Sequence, residues 1–198
     1  MGMETRTEFP PAERMSAAFI PRLLLGVVVG VILLYPAKIM GQSPPATEYQ
    51  VKAAFLYNFA KFVEWPSGTF GSSSSTLQIC VFGQETLTSD LTQIISGKTV
   101  NGHPLEVKQV ARLQEMQGCH VVFAAVTDRT QIKSILEGLR GSSVLTVGDT
   151  SGFAEQGGMI NFVLDHDHVQ FEVNAKAAEE AGLHISSRLL SVAKVVIE

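Results

Sequence analysis

Hydrophobic positions change period along this chain, and each change marks an element. From Glu48 to Trp65 the residues Val51, Ala54, Phe55, Phe59, Phe62 and Val63 return at the i, i+3, i+4, i+7 spacing of one helical face, while Glu48 and Lys52 stand one turn apart as an opposite-charge pair. Trp65-Pro66 should stop this helix, because proline disfavours a helical residue before it. The ordinary reading of such an apolar face is core packing. Leu77 to Phe82, Leu105 to Val110, His120 to Ala125 and Val144 to Val147 are short runs rich in Val, Ile and Phe, bounded by turn residues, and read as buried strands. Between them, Glu85 to Ile95 spaces Leu87, Leu91 and Ile94 helically, and Thr130 to Leu139 does the same with Ile132, Ile135 and Leu139 before Arg140-Gly141. Ile160 to Leu164 and Val169 to Val173 flank Asp165-His-Asp-His168 as a hairpin. Asn174 is a natural N-cap for a helix from Ala175, which Gly182 would end. Ser186 or Ser187 then caps a last helix through Leu189, Leu190, Ala193 and Val196. This alternation predicts an α/β fold: a single-domain layered sandwich, its sheet largely parallel, with a C-terminal β-hairpin and flanking helices.

The first 41 residues follow a different rule. Arg14 and Arg22 precede Leu23 to Tyr35, an apolar run of 13 residues. That suits the core of an export signal and falls short of the roughly 20 apolar residues of a membrane span. Gly41 offers a cleavage point before Gln42, although Ile39 fits the third position back less well than alanine would. The alternative is an uncleaved anchor; after cleavage no direct membrane insertion is expected. Residues 1–41 are thus read as signal peptide and N-terminal extension, and 42–198 as the folded domain.

The domain has 157 residues (198 − 41), enough for one core. Its 11 Lys and Arg against 16 Asp and Glu give a charge of −5 with no basic cluster, which argues against nucleic acid as a partner. Two cysteines, Cys80 and Cys119, lie in or beside apolar runs. In an oxidising compartment a pair of cysteines usually bonds. The bridge would close a loop of about 40 residues and contribute about 4 kcal/mol in the chain-entropy account. Two buried free thiols are the competing reading.

Candidate chemistry is sparse. Asp165-His166-Asp167-His168 would offer two ligands per face of a strand, whereas zinc sites use three or four protein ligands, so a solvated hairpin tip is the plainer reading. Gly97-Lys-Thr99 lacks the upstream glycine of a phosphate loop, since Thr92 stands there. Gly157-Gly158 could present N–H groups to an anion or simply turn the chain. No Gly-x-Ser-x-Gly elbow, acid pair or metal set points to catalysis, so neither an enzyme nor a cofactor is expected. For contact with another molecule the candidates are Phe153 beside the glycine pair, Tyr57 on the far side of the first helix, Trp65 at its end, and Arg188, each weighed against a core or local structural role. The chain-topology alternative is a small-molecule cleft at the carboxyl ends of the strands near Gly83, Gly148 and Asp149.

Three stretches carry a resemblance. Glu48 to Pro66, Gly152-Phe-Ala-Glu-Gln-Gly-Gly-Met-Ile-Asn-Phe-Val163, and Val169 to Asn174 continuing through Ile185-Ser-Ser-Arg-Leu-Leu190 resemble, in this order, signatures of the YfiR-like family of bacterial periplasmic proteins. The resemblance implies a non-enzymatic repressor of biofilm signalling that contacts the periplasmic sensor region of a membrane-bound diguanylate cyclase and restrains cyclic di-GMP synthesis. It leaves a homodimer open, and makes Phe153, Gly157, Gly158 and Arg188 the candidate partner-binding residues. Some members carry a second cysteine pair flanking the glycines and linked to redox regulation; Ala154 and Asn161 stand there, so a redox switch is not carried over. The Cys80–Cys119 bridge is then expected to be structural.

Overall fold

A computed structural model describes residues 46–72 and 74–198, so the expected export signal lies outside the described residues. Thr47 caps helix α1 (Glu48–Phe62) through a reciprocal capping box with Gln50. The chain then gives β1 (Val63–Glu64), β2 (Leu77–Phe82), α2 (Glu85–Ile95), β3 (Thr99–Val100), β4 (His103–Val110), a 3-10 turn (Leu113–Met116), β5 (Val121–Ala124), α3 (Arg129–Gly138) and β6 (Leu145–Gly148). It ends with β7 (Ile160–Asp165), β8 (His168–Asn174), α4 (Ala175–Glu180), β9 (His184–Ile185), α5 (Ser187–Leu190) and β10 (Val195–Ile197).

Eight strands form one sheet in the order β10-β8-β7-β6-β5-β2-β4-β3, and β1 pairs with β9 as a separate two-stranded ribbon. Pairings among β4, β2, β5, β6 and β7 are parallel, while β7–β8 and β3–β4 are antiparallel. From β2 the chain steps through α2 to β4 on one side, and from β5 through α3 to β6 in the opposite direction. Right-handed crossovers taken in opposite directions place their helices on opposite faces. Packing follows that rule. Ile79, Val81, Val121, Phe123, Leu145 and Val147 join α1 and α2 in one core, whereas Cys80, Val122 and Ala124 join Ile132 and Ile135 of α3 in another. Because successive strand residues fill both cores, the strands read as unbroken apolar runs.

The architecture is the expected mixed α/β sandwich. Three local expectations need correction. The fully buried face of α1 is Lys52, Ala53, Leu56, Phe59 and Ala60; of the expected stripe, Val51 and Ala54 are only partly buried, while Phe62 packs against the core from its edge. So many positions of this helix are apolar that spacing alone does not select the face. Phe55 does pack inward from the flank, reaching Phe59, Phe162 and Phe171 at ring-centroid distances of 5.9, 6.0 and 5.4 Å. The helix also stops at Phe62, before Trp65, because Val63 and Glu64 are drawn into pairing with Ile185 and His184. Finally, the last helix is a single turn, Ser187–Leu190, and the expected continuation to Val196 is instead β10, laid parallel to β8. Main-chain pairing with an open sheet edge there outweighs a weak helical spacing.

Candidate functional site

At the carboxyl end of the parallel strands, the first turns of α1 close over the sheet. Lys52 is 6% exposed, and its Nζ lies 2.6 Å from Glu48 Oε1 and 2.8 Å from Asp149 Oδ2, just past β6. Burial pulls the Lys52 ammonium down, but hydrogen bonds to Asp149 and Glu48 outweigh it and hold the group above its ordinary value. Gln84 Nε2 donates to Tyr49 Oη at 2.7 Å, a second latch beside the first. Gly83 and Gly148, expected to edge a ligand cleft, are filled by neighbours. A methyl on Gly83 would meet the Ala125 carbonyl oxygen at 2.7 Å, and one on Gly148 would meet the Phe153 ring at 2.6 Å.

The glycine-pair segment explains itself through that ring. Phe153 is buried, and Gly158 approaches it so closely that a methyl there would lie 2.1 Å from Cε1. Gly158 N–H also donates to the Phe153 carbonyl at 3.0 Å. Gly148 and Gly158 therefore make the slot that a phenyl ring occupies, and Gly157, exposed with φ at +99°, turns the chain beneath it. Phe153 thus cannot itself present its ring to a partner in this conformation. Ala154 and Asn161 are both buried; the Asn161 amide donates to Glu172 Oε2 at 3.2 Å. Asn161, Asp149, Glu155 and Glu172 line a cavity of about 330 Å³.

A larger cavity, about 550 Å³, opens at the other end of the strands and is lined by Trp65, Phe70, Asn101 and His103 among others. Its wall is an aromatic stack. Phe70 lies between His103 at 4.0 Å and His120 at 4.6 Å, both near-parallel, with Trp65 edge-on at 6.1 Å. His120 Nδ1 accepts the Gln78 main-chain N–H at 3.1 Å, which fixes a neutral ring with its proton on Nε2. Burial, then the neighbouring His103, pushes the His120 pKa down. Nothing in the sequence announces this triple stack, because its members come from three separate segments.

The remaining expected residues are spread out. Cys80 and Cys119 are bonded, with Cα atoms 5.9 Å apart, inside the α3-side core. Arg188 is exposed on α5, and Tyr57 is partly buried with Lys98 Nζ 4.6 Å above its ring. At the hairpin tip His166 and Asp167 occupy the two positive-φ positions of a tight turn. Asp165 there binds His166 Nδ1 at 2.6 Å and Lys194 Nζ at 2.8 Å, which lowers its pKa, Lys194 foremost.

With this geometry in view, comparison with known proteins is decisive at one level. A YfiR/HmsC-like family model matches residues 49–194. The chain belongs to the YfiR/HmsC-like family. All three signature stretches fall inside the match or overlap it. No curated protein matches this YfiR-like chain. Among solved structures, a conserved domain protein from Vibrio cholerae O1 biovar El Tor strain N16961 is similar at 12% identity and a TM-score of 0.51, covering 76% of this chain and 60% of its own. The ABC domain in complex with L-Trp from Streptococcus pneumoniae reaches a TM-score of 0.49 at 12% identity, with coverage of 75% and 60%. This YfiR-like chain therefore spans less than two thirds of either structure, and at such identity the first likeness speaks for fold alone. At family level the match fits a periplasmic regulator of diguanylate cyclases, and members of the family are regulators rather than enzymes. Among the described residues no helix is long and apolar enough to cross a membrane.

Proposed function

We propose that this protein is an exported, non-catalytic repressor that binds the periplasmic sensor region of a membrane-bound diguanylate cyclase and restrains cyclic di-GMP synthesis. The observation that carries this reading is the family match over residues 49–194. The Cys80–Cys119 bridge supports an oxidising compartment, and residues 1–41 supply the signal that takes the chain there. Repression follows if the protein binds the inactive cyclase more tightly than the active one. Moving a two-state partner from 1:99 to 99:1 needs a differential affinity of about 10⁴-fold. Gly157 and Arg188, both exposed, belong to the proposed contact surface, with Phe153 and Gly158 shaping the glycine loop from beneath.

Intracellular cyclic di-GMP in the native host tests the proposal, comparing wild type, a deletion, and the deletion complemented with exported or signal-less protein. A rise on deletion, reversed only by the exported form, is expected. No change on deletion would overturn repression of a cyclase and leave the fold untouched.

A further inference from the structure

Strand β7 turns Ile160 and Phe162 into the core beneath α1 and α2, so the residue between them, Asn161, points to the opposite face of the sheet. There it stands directly across from Glu172 of β8, beside a segment that the Asn174 amide pins by donating to the Ala154 carbonyl at 2.9 Å. The cavity of about 330 Å³ between that segment and the strands is walled by acceptors: Asp149, Glu155 and Glu172 supply carboxylates, and no lysine or arginine lines it. Asp149 is already paired with Lys52. Glu155 and Glu172 have no cation within ion-pair distance among the described residues. Gly152 lets the Glu155 carboxylate fold back over the segment, since a methyl there would meet Oε2 at 3.1 Å.

Asn161 adds an independent demand. It is 1% exposed, and its amide nitrogen donates to Glu172 Oε2 at 3.2 Å. A carboxylate only accepts, so the amide must turn its NH₂ to Glu172, and Asn161 Oδ1 is left buried with no protein donor. A buried acceptor without a donor is costly, so this place calls for N–H groups as well as for positive charge. Among the described residues no three His, Cys, Asp or Glu side chains stand close enough to hold a metal ion. Acceptors spread over a cavity of this size, with Val163 on its wall, suit a cation of several atoms. We propose that the cavity binds a small aliphatic amine or guanidine, its N–H donors taken by Glu155, Glu172 and the Asn161 carbonyl and its carbon chain lying against Val163. A cation that draws the half-buried Glu172 carboxylate toward itself frees the Asn161 amide to turn its carbonyl to the same ligand.

Calorimetric titration of the exported protein with agmatine, which carries a primary ammonium and a guanidinium on one short carbon chain, tests the site. A single saturable site is expected, with n-butanol and succinate giving no heat of binding. Glu155→Gln and Glu172→Gln should each weaken binding about tenfold, whereas Glu179→Gln, an exposed acid on α4, should leave it unchanged. Asn161→Ala should weaken it too. Because Glu155 is exposed, its variant reads the site even where a change at buried Asn161 disturbs the fold. Agmatine should also raise the melting temperature of wild type and not that of the double glutamine variant. Absence of saturable binding at millimolar agmatine overturns the proposal, as does binding indifferent to both glutamine changes. Protein blind to agmatine whose capture of the cyclase is lost in Glu172→Gln would also overturn it, by giving these carboxylates to a basic side chain of the partner. Because agmatine binding is read on the isolated protein, its failure leaves the cyclase reading standing.

Discussion

Single residues in this chain were legible as types more readily than as roles. Phe153 beside a glycine pair is open to two readings, a contact aromatic or a core residue. The structure takes the second, with the glycines small so that the ring can be buried between them. Lys52 illustrates the same limit: its one-turn partner Glu48 is readable from spacing, but Asp149, 97 residues away, is not. The phenyl slot yields a prediction. Phe153→Ala should cost about 3–5 kcal/mol through the void it leaves, and Gly148→Ala should be destabilising because its methyl strikes the ring. Combined, the two should cost clearly less than their sum, since the new methyl enters space the ring has vacated. Urea unfolding of the two single variants and the double variant measures the coupling, and additive losses would refute the slot. Lys52→Ala offers an independent check on the latch over α1. Leaving Asp149 and Glu48 without their cation should destabilise by about 3 kcal/mol, and Lys52→Met, which keeps the packing of the stem, by less.

Elements were legible where burial makes their pattern unambiguous. Leu77 to Phe82 and Glu85 to Ile95 are found with the bounds that periodicity gives them, because a strand buried on both faces and a helix with one apolar stripe produce distinct patterns. Legibility ended at Ala193 to Val196, where a few apolar residues suit either a helix or a strand and only the vacant edge of β8 decides. It also failed for the loop between β1 and β2, whose order comes from Phe70 lodged between His103 and His120. That stack makes a pH-dependent anchor. His120 has a folded-state pKa below its unfolded one, so between the two values the unfolded chain binds more protons and stability rises with pH. The contribution is complete above the ordinary histidine value of about 6.5 and is lost as pH falls through the lowered folded value. Protonation removes the Nδ1 acceptor from Gln78 and sets a positive charge across Phe70 from His103. Melting of wild type should therefore drop between neutral and mildly acidic pH. His120→Asn, which can keep an acceptor near Nδ1 without titrating, should flatten that dependence; equal slopes in the two proteins would remove His120 from the cause.

At the scale of the whole molecule, compartment and stability meet in one covalent bond. Cys80 sits within β2 and Cys119 just ahead of β5, so the bridge fastens the two strands from which the chain winds in opposite directions, and it closes a loop with a sequence separation of 39. Restricting that loop in the unfolded chain contributes about 4 kcal/mol in the entropic account. Domains of this size are stable by about 5–15 kcal/mol, so the bond supplies a large share of the margin. Replacing both cysteines with alanine should lower the melting temperature by about 8–16 °C, at 2–4 °C per kcal/mol, and reductant should act on wild type in the same direction without affecting the variant. Calorimetry with and without reductant checks both statements; an unchanged melt in the double variant would mean that the bridge adds little to the margin. This also disentangles the complementation test, since signal-less protein differs from exported protein both in location and in lacking an oxidising compartment. An exported Cys80→Ala, Cys119→Ala variant separates those causes. Repression by that variant at a temperature below its melt would assign the failure of signal-less protein to location, whereas loss of repression by the folded variant would make the bridge part of the contact with the cyclase.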